Sequence, residues 1–110
     1  MVETLTIAQL AEVLETTSYD LVDVRDANEF AAGHIPGVRN VPLDQLRADP
    51  EAALPKRDGI IFICARGVRS LTAAKVAERL GYTTLYNLEG GTIAWSKAGH
   101  PVLVTQLAAA

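Results

Sequence analysis

Apolar positions along this chain switch between helical and strand-like spacing. From Thr6 to Glu15, Ile7, Leu10, Ala11 and Leu14 fall on one helical face, and Thr6 with Gln9 has the spacing of a capping box, so the pattern predicts a first helix. A short apolar strand follows at Leu21–Val24, its end marked by the charges Asp23, Arg25 and Asp26. ANEFAAGHIPGVRNVPL predicts one helical turn near Asn28–Ala32, a loop punctuated by Gly33, Pro36, Gly37 and Pro42, and a very short strand near Val38–Val41. DQLRADPEAALPKRDG reads as a brief helix, a proline-broken connection and a turn at Asp58-Gly59. Ile60–Ile63 is β-branched and aromatic with no polar alternation, as expected of a central parallel strand covered on both faces. Beyond Cys64 and a short loop, Ala73, Val76, Ala77 and Leu80 mark the buried face of the best-defined helix, with Gly81 as its cap. TTLYNL resumes strand character, EGGTIAWSKAG is a glycine-led helix ending at Gly99, and HPVLVTQLAAA closes with a short strand and a frayed tail. Strands alternating with helices imply an α/β layer fold with a mostly parallel sheet.

Length sets the domain count. A chain of 110 residues suffices for one modest core, expected as a single domain over 1–110 with its core at about 4–104 and a tail at 105–110. Ten basic residues against thirteen acidic ones leave a net charge of -3, with no block of one sign for a nucleic acid or membrane surface to grip. MVETLTIAQLAEVLE carries acids where a secretory leader carries bases, and no apolar run approaches membrane-spanning length, so the expected compartment is the cytoplasm. The one cysteine forms no internal disulfide, which leaves either an inert buried thiol or a working one.

Position favours the working thiol. Sites in open parallel sheets form beyond the carboxyl ends of strands, and Cys64 directly follows a central strand and precedes a helix. Backbone N–H groups of a tight loop entering a helix stabilise an anion such as a thiolate. The loop adds Gly67 and two guanidinium groups, Arg66 and Arg69. Nearby positive charge and a helix N-terminus lower a cysteine pKa from about 8.5 to as low as ~3.5–7.5 in known reactive sites. A free cysteine also packs as a small hydrophobe, and alone at a strand end that bland reading would win. Two arginines and a glycine within the next five residues tip the balance towards function.

These residues carry a resemblance. CARGVRS, preceded by DVRDANEFAAGHIPGVRNVP and followed by NLEGGTIAW, resembles the rhodanese family of sulfurtransferases, with three motifs in order from about Thr6 to Pro101. The resemblance implies a three-layer α/β domain whose central five-stranded parallel sheet is flanked by helices, and a catalytic Cys64 that carries sulfur as a persulfide. It assigns Ala65, Arg66, Gly67, Val68, Arg69 and Ser70 to the loop whose amides surround that sulfur, with Ser70 starting the helix. Arg69 matches the family's loop-closing arginine, suited to a sulfonate-bearing donor such as thiosulfate; Arg66 stands where many relatives carry a small residue. Asp23 and Arg25 match a structural charge pair, with Glu29 a candidate third member, and His34 in GHIPG is structural rather than a base. Cysteine-dependent phosphatases and arsenate reductases on a related scaffold use a loop one residue longer. Here four residues separate Cys64 from Arg69 and Ser70 stands where the phosphatase arginine would be, so the loop suits a single sulfur atom.

The expected reaction moves sulfur from thiosulfate or a persulfide donor to cyanide or a thiol acceptor, with thioredoxin, glutathione or a partner protein as candidate acceptors and no cofactor. Without a second cysteine, the acceptor comes from outside. A persulfide relay serving a partner protein is the alternative, and a silent binding domain is disfavoured by the intact Cys64. His100 has no ligand cluster around it, so no metal is expected. Trp95 is expected in the core, and Gly90 and Gly91 are expected to let their connection approach the active loop.

Overall fold

The computed structural model describes residues 1–16 and 18–105. Five strands, β1 (Val2–Leu5), β2 (Asp20–Asp23), β3 (Arg39–Asn40), β4 (Asp58–Ile63) and β5 (Thr83–Leu88), form one sheet in the order β1-β5-β4-β2-β3. Every neighbouring pair is parallel, as the sequence pattern predicts. Among the described residues six helices accompany them: α1 (Ile7–Val13), α2 (Ala27–Ala32), α3 (Leu43–Ala48), α4 (Pro50–Ala53), α5 (Val68–Arg79) and α6 (Gly91–Lys97).

Side chains alternate across a strand, and β4, fully flanked by β2 and β5, shows what that does to an unbroken apolar run. Ile60 and Phe62 point into a cluster with Leu46, Leu54, Ala73, Ala74 and Ala77 of the α3–α5 layer. Ile61 and Ile63 point the other way, onto Leu10 of α1, Leu88 and Trp95 of α6. Cys64 continues the first phase and is 1% exposed, so the strand delivers its thiol to the floor of the α5 layer. Burying each of these large side chains contributes roughly 1.5–3 kcal/mol, which fixes the end of β4 firmly.

Several boundaries differ from the sequence expectation. β1 was not foreseen because it is an edge strand, paired only with β5, and of its four residues only Leu5 is buried. Asp58-Gly59 is not a turn: Asp58 pairs with Thr83, and the Thr83 hydroxyl donates to the Asp58 carboxylate at 2.9 Å, so β4 runs through the glycine. Leu80 is exposed, because α5 ends at Arg79 and Ala74 takes the packing position instead. The α1 capping box is present as expected, with the Thr6 and Gln9 side chains each accepting the other's backbone N–H. The closing strand reduces to one antiparallel bridge, His34 to Leu103; of the expected tail at 105–110, Thr105 donates its N–H to the Ala31 carbonyl at 2.9 Å and the rest lies outside the described residues. No described helix is long and apolar enough to cross a membrane.

Candidate active site

The carboxyl end of β4 opens into a turn of three residues, Ala65–Gly67, and α5 then begins at Val68 rather than at Ser70. Gly67 makes the early start possible. It is the N-cap residue with φ +102°, a left-handed conformation that a side chain would strain. Val68, Arg69 and Ser70 are therefore helical, and their N–H groups are the unpaired donors of a helix start.

Neighbouring elements turn the loop's carbonyls away from the sulfur. The Thr92 N–H of α6 donates to the Cys64 carbonyl at 2.9 Å and the Ile93 N–H donates to that of Ala65 at 3.1 Å. In a trans peptide the C=O and the following N–H point in opposite directions, so the Ala65 and Arg66 N–H groups face away from α6. The Gly67 carbonyl is held likewise by Asn87 Nδ2 at 3.0 Å. Such proximity demands glycine at 91: a Cβ there would stand 2.2 Å from the Cys64 carbonyl oxygen. Gly91 thus meets the expectation of close approach, whereas a Cβ on Gly90 would strike Ala94 of its own helix at 2.6 Å.

The result is a cup of donors around Cys64 Sγ. The Gly67 N–H donates to the sulfur at 3.0 Å and Ser70 Oγ lies 3.1 Å from it. Burial pushes the Cys64 thiol up, but the Ser70 hydroxyl and the Ser70, Gly67 and Arg66 N–H groups favour the thiolate and bring the net shift below the ordinary cysteine value. Ser70 is fully buried, and its hydroxyl, with one proton to give, also lies 2.5 Å from a second acceptor, Asn87 Oδ1.

The charged side chains are arranged differently from the sequence expectation. Glu29 does not join Asp23 and Arg25 in a hydrogen-bonded cluster. It pairs bidentately with Arg69, Nη1 to Oε1 at 2.7 Å and Nη2 to Oε2 at 2.9 Å, tying α2 to the start of α5. The hydrogen bonds from Arg69 hold the Glu29 carboxyl down at about 2, and Glu29 in turn raises Arg69 above its ordinary value. Asp23 and Arg25 form their own buried pair, and Arg25 Nη2 also donates to the Gly33 carbonyl at 2.7 Å. Arg66 is exposed and makes no ion pair or side-chain hydrogen bond among the described residues. His34 hydrogen-bonds through Nδ1 to the Phe30 carbonyl at 2.8 Å and stacks on the Phe30 ring at 3.9 Å, both contacts being with α2 rather than with the cysteine loop. Trp95 is 2% exposed, as expected of a core residue, with Nε1 donating to the Pro101 carbonyl. Among the described residues, no three His, Cys, Asp or Glu side chains group as metal ligands would.

Asn87 and Thr92 were not singled out in the sequence. The available signal was positional: Asn87 sits near the carboxyl end of β5, the strand beside β4, where parallel sheets collect functional groups.

The family model for the Rhodanese-like domain matches residues 6–98 of the chain. The thiosulfate sulfurtransferase GlpE of Shewanella oneidensis is 33% identical over 99 residues, covering 86% of this chain and 92% of the relative. The Bacillus subtilis protein YqhL, of uncharacterised function, is 41% identical over 75 residues, which span 68% of this chain but only 59% of YqhL. Among solved structures, a Rhodopseudomonas palustris protein described as a possible tyrosine phosphatase superposes with a TM-score of 0.81 at 32% identity, covering 93% of this chain and 85% of that one.

Proposed function

The chain belongs to the rhodanese-like family, whose named relatives include sulfurtransferases, and from that premise we propose that it moves a sulfane sulfur from thiosulfate or a similar donor to a thiol or cyanide acceptor. The observation that carries this reading is the cup itself: a buried sulfur at the end of the central strand, 3.0 Å from the Gly67 N–H and 3.1 Å from Ser70 Oγ. The Cys64 thiolate attacks the outer sulfur of thiosulfate, the S–S bond breaks, and sulfite leaves with the electron pair. The site's single negative charge passes to the new terminal sulfur, and the loop amides then hold the persulfide anion by preorganised hydrogen bonds. The acceptor takes that sulfur in a second displacement and returns the thiolate.

Burial shapes the choice of donor. Cys64 is 1% exposed, so a donor must present one atom end-on. Four residues between Cys64 and Arg69, with Ser70 next, leave no arginine at the position a phosphoryl-transfer loop needs, which disfavours the phosphatase reading. Arg69 has both terminal nitrogens on Glu29, so Arg66 is the guanidinium left to meet a sulfonate.

That commitment of Arg69 also supports a second reading, a persulfide relay. A site with one exposed arginine and a Val68 side chain 74% exposed beside it suits a protein surface as well as a small anion. Mixing the protein with thiosulfate and cyanide separates the two. Thiocyanate from the wild type and none from Cys64→Ser supports the first reading; a folded protein that accepts sulfur from a persulfide yet forms no thiocyanate supports the relay.

A further inference from the structure

Ser70 Oγ stands between two acceptors, 2.5 Å from Asn87 Oδ1 and 3.1 Å from Cys64 Sγ, and a hydroxyl has one proton to give. The Asn87 amide cannot turn to relieve this. Its Nδ2 donates to the Gly67 carbonyl at 3.0 Å, and the flipped orientation would set two oxygens against each other there. With Cys64 as a thiol the chain is satisfied: S–H donates to Ser70 Oγ, and Ser70 O–H donates to Asn87 Oδ1. With Cys64 as a thiolate it is not. Either the hydroxyl stays on Asn87 and presents a lone pair to the anion, or it turns to the sulfur and leaves two oxygens 2.5 Å apart.

We propose that Asn87 is a positioning residue that acts on Cys64 through Ser70, competing for the Ser70 hydroxyl proton and so restraining ionisation of the thiol. Once a second sulfur is attached, Sγ no longer carries the charge and the hydroxyl returns to Asn87. The same contact therefore favours the loaded cysteine over the empty thiolate. That last consequence rests on the sulfurtransferase reading; the effect on ionisation does not.

Other charges near the cup are Arg66 and Arg69 on the loop and α5, Glu29 on α2, the Asp23–Arg25 pair at the end of β2, and Glu89 in the turn after β5. All of them are common to the proteins compared in the test, so they cancel. The measurement is the rate of iodoacetamide alkylation of Cys64 against pH in the wild type, Asn87→Leu, Ser70→Ala and the double variant. Leucine keeps the branched shape and removes the Oδ1 acceptor; the Nδ2 donor to the Gly67 carbonyl is lost with it, equally in both Ser70 backgrounds. The alkylation midpoint shift caused by Asn87→Leu is expected to lie about half to one pH unit lower with Ser70 present than in the Ser70→Ala background, roughly a three- to tenfold difference in thiolate below the midpoint. An equal shift in both backgrounds, or a shift further upward with Ser70 present, overturns the proposal. Should Asn87→Leu fail to fold, Asn87→Asp retains the acceptor and adds charge, and its midpoint is expected to rise more with Ser70 present than in the Ser70→Ala background; equal rises overturn the proposal. Alkylation needs no sulfur transfer, so thiocyanate formation measured on the same proteins reports separately on the activity.

Discussion

Alanine at position 91 would place its Cβ 2.2 Å from the Cys64 carbonyl oxygen and 2.5 Å from that of Ala65, both backbone atoms with nowhere to retreat. Three costs follow. The left-handed backbone, φ +60°, costs a non-glycine residue about 1–2 kcal/mol. Relieving the clash separates α6 from the loop and breaks two hydrogen bonds, Thr92 N–H to Cys64 and Ile93 N–H to Ala65, each worth about 0.5–1.5 kcal/mol. The sum is roughly 2–5 kcal/mol, a large part of the ~5–15 kcal/mol that holds a domain of ordinary stability together. Gly99 supplies the control: its φ is +86° but a Cβ there meets nothing within 4 Å, so Gly99→Ala pays the backbone strain alone. Urea denaturation followed by Trp95 fluorescence compares the two. Gly91→Ala is expected to lose about 1–3 kcal/mol more than Gly99→Ala, and its Cys64 to alkylate at a higher pH because the carbonyls are no longer held away from the sulfur. Equal losses in the two variants would refute the idea that α6 fixes the direction of the loop.

Two further changes probe the charged side chains. Glu29→Gln removes a carboxylate held from 4.5 down to about 2, nominally ~3.4 kcal/mol, but both partners are more than a third exposed and solvent screening leaves about 1 kcal/mol. Because the folded value is depressed, that stability is present above about pH 4.5 and is lost as pH falls towards 2, so the gap between wild type and variant should narrow over this window; an equal gap at pH 7 and pH 3 would contradict it. Arg66→Ala is expected to raise the thiosulfate KM severalfold while leaving the unfolding free energy from urea denaturation within about 0.5 kcal/mol of the wild type, and an unchanged KM would remove Arg66 from donor binding.

The layered sheet was legible because β4 and α5 announce themselves: four apolar residues in a row, then alanines and valine at helical spacing. Cys64 was legible from its place between them. What the sequence hid were partners brought together by the sheet rather than by the chain. Glu29 meets Arg69 across forty positions, and Asn87 reaches Ser70 and Gly67 from the neighbouring strand. Nothing in the spacing of GVRS distinguishes an arginine that grips a substrate from one that grips α2. The early helix start had a similar origin. Gly67 can cap α5 in a left-handed conformation, and counting residues after the cysteine does not show that three of the six assigned to the loop are already helical.

The most direct test is the intact mass of the protein before and after exposure to thiosulfate, in wild type and Cys64→Ser. A sulfurtransferase working through Cys64 gains the mass of one sulfur atom, loses it on treatment with a thiol reductant, and shows neither change when Cys64 is serine. A wild-type protein that gains nothing from thiosulfate and nothing from a persulfide donor, or a Cys64→Ser variant that gains sulfur equally, would contradict sulfur transfer through this cysteine.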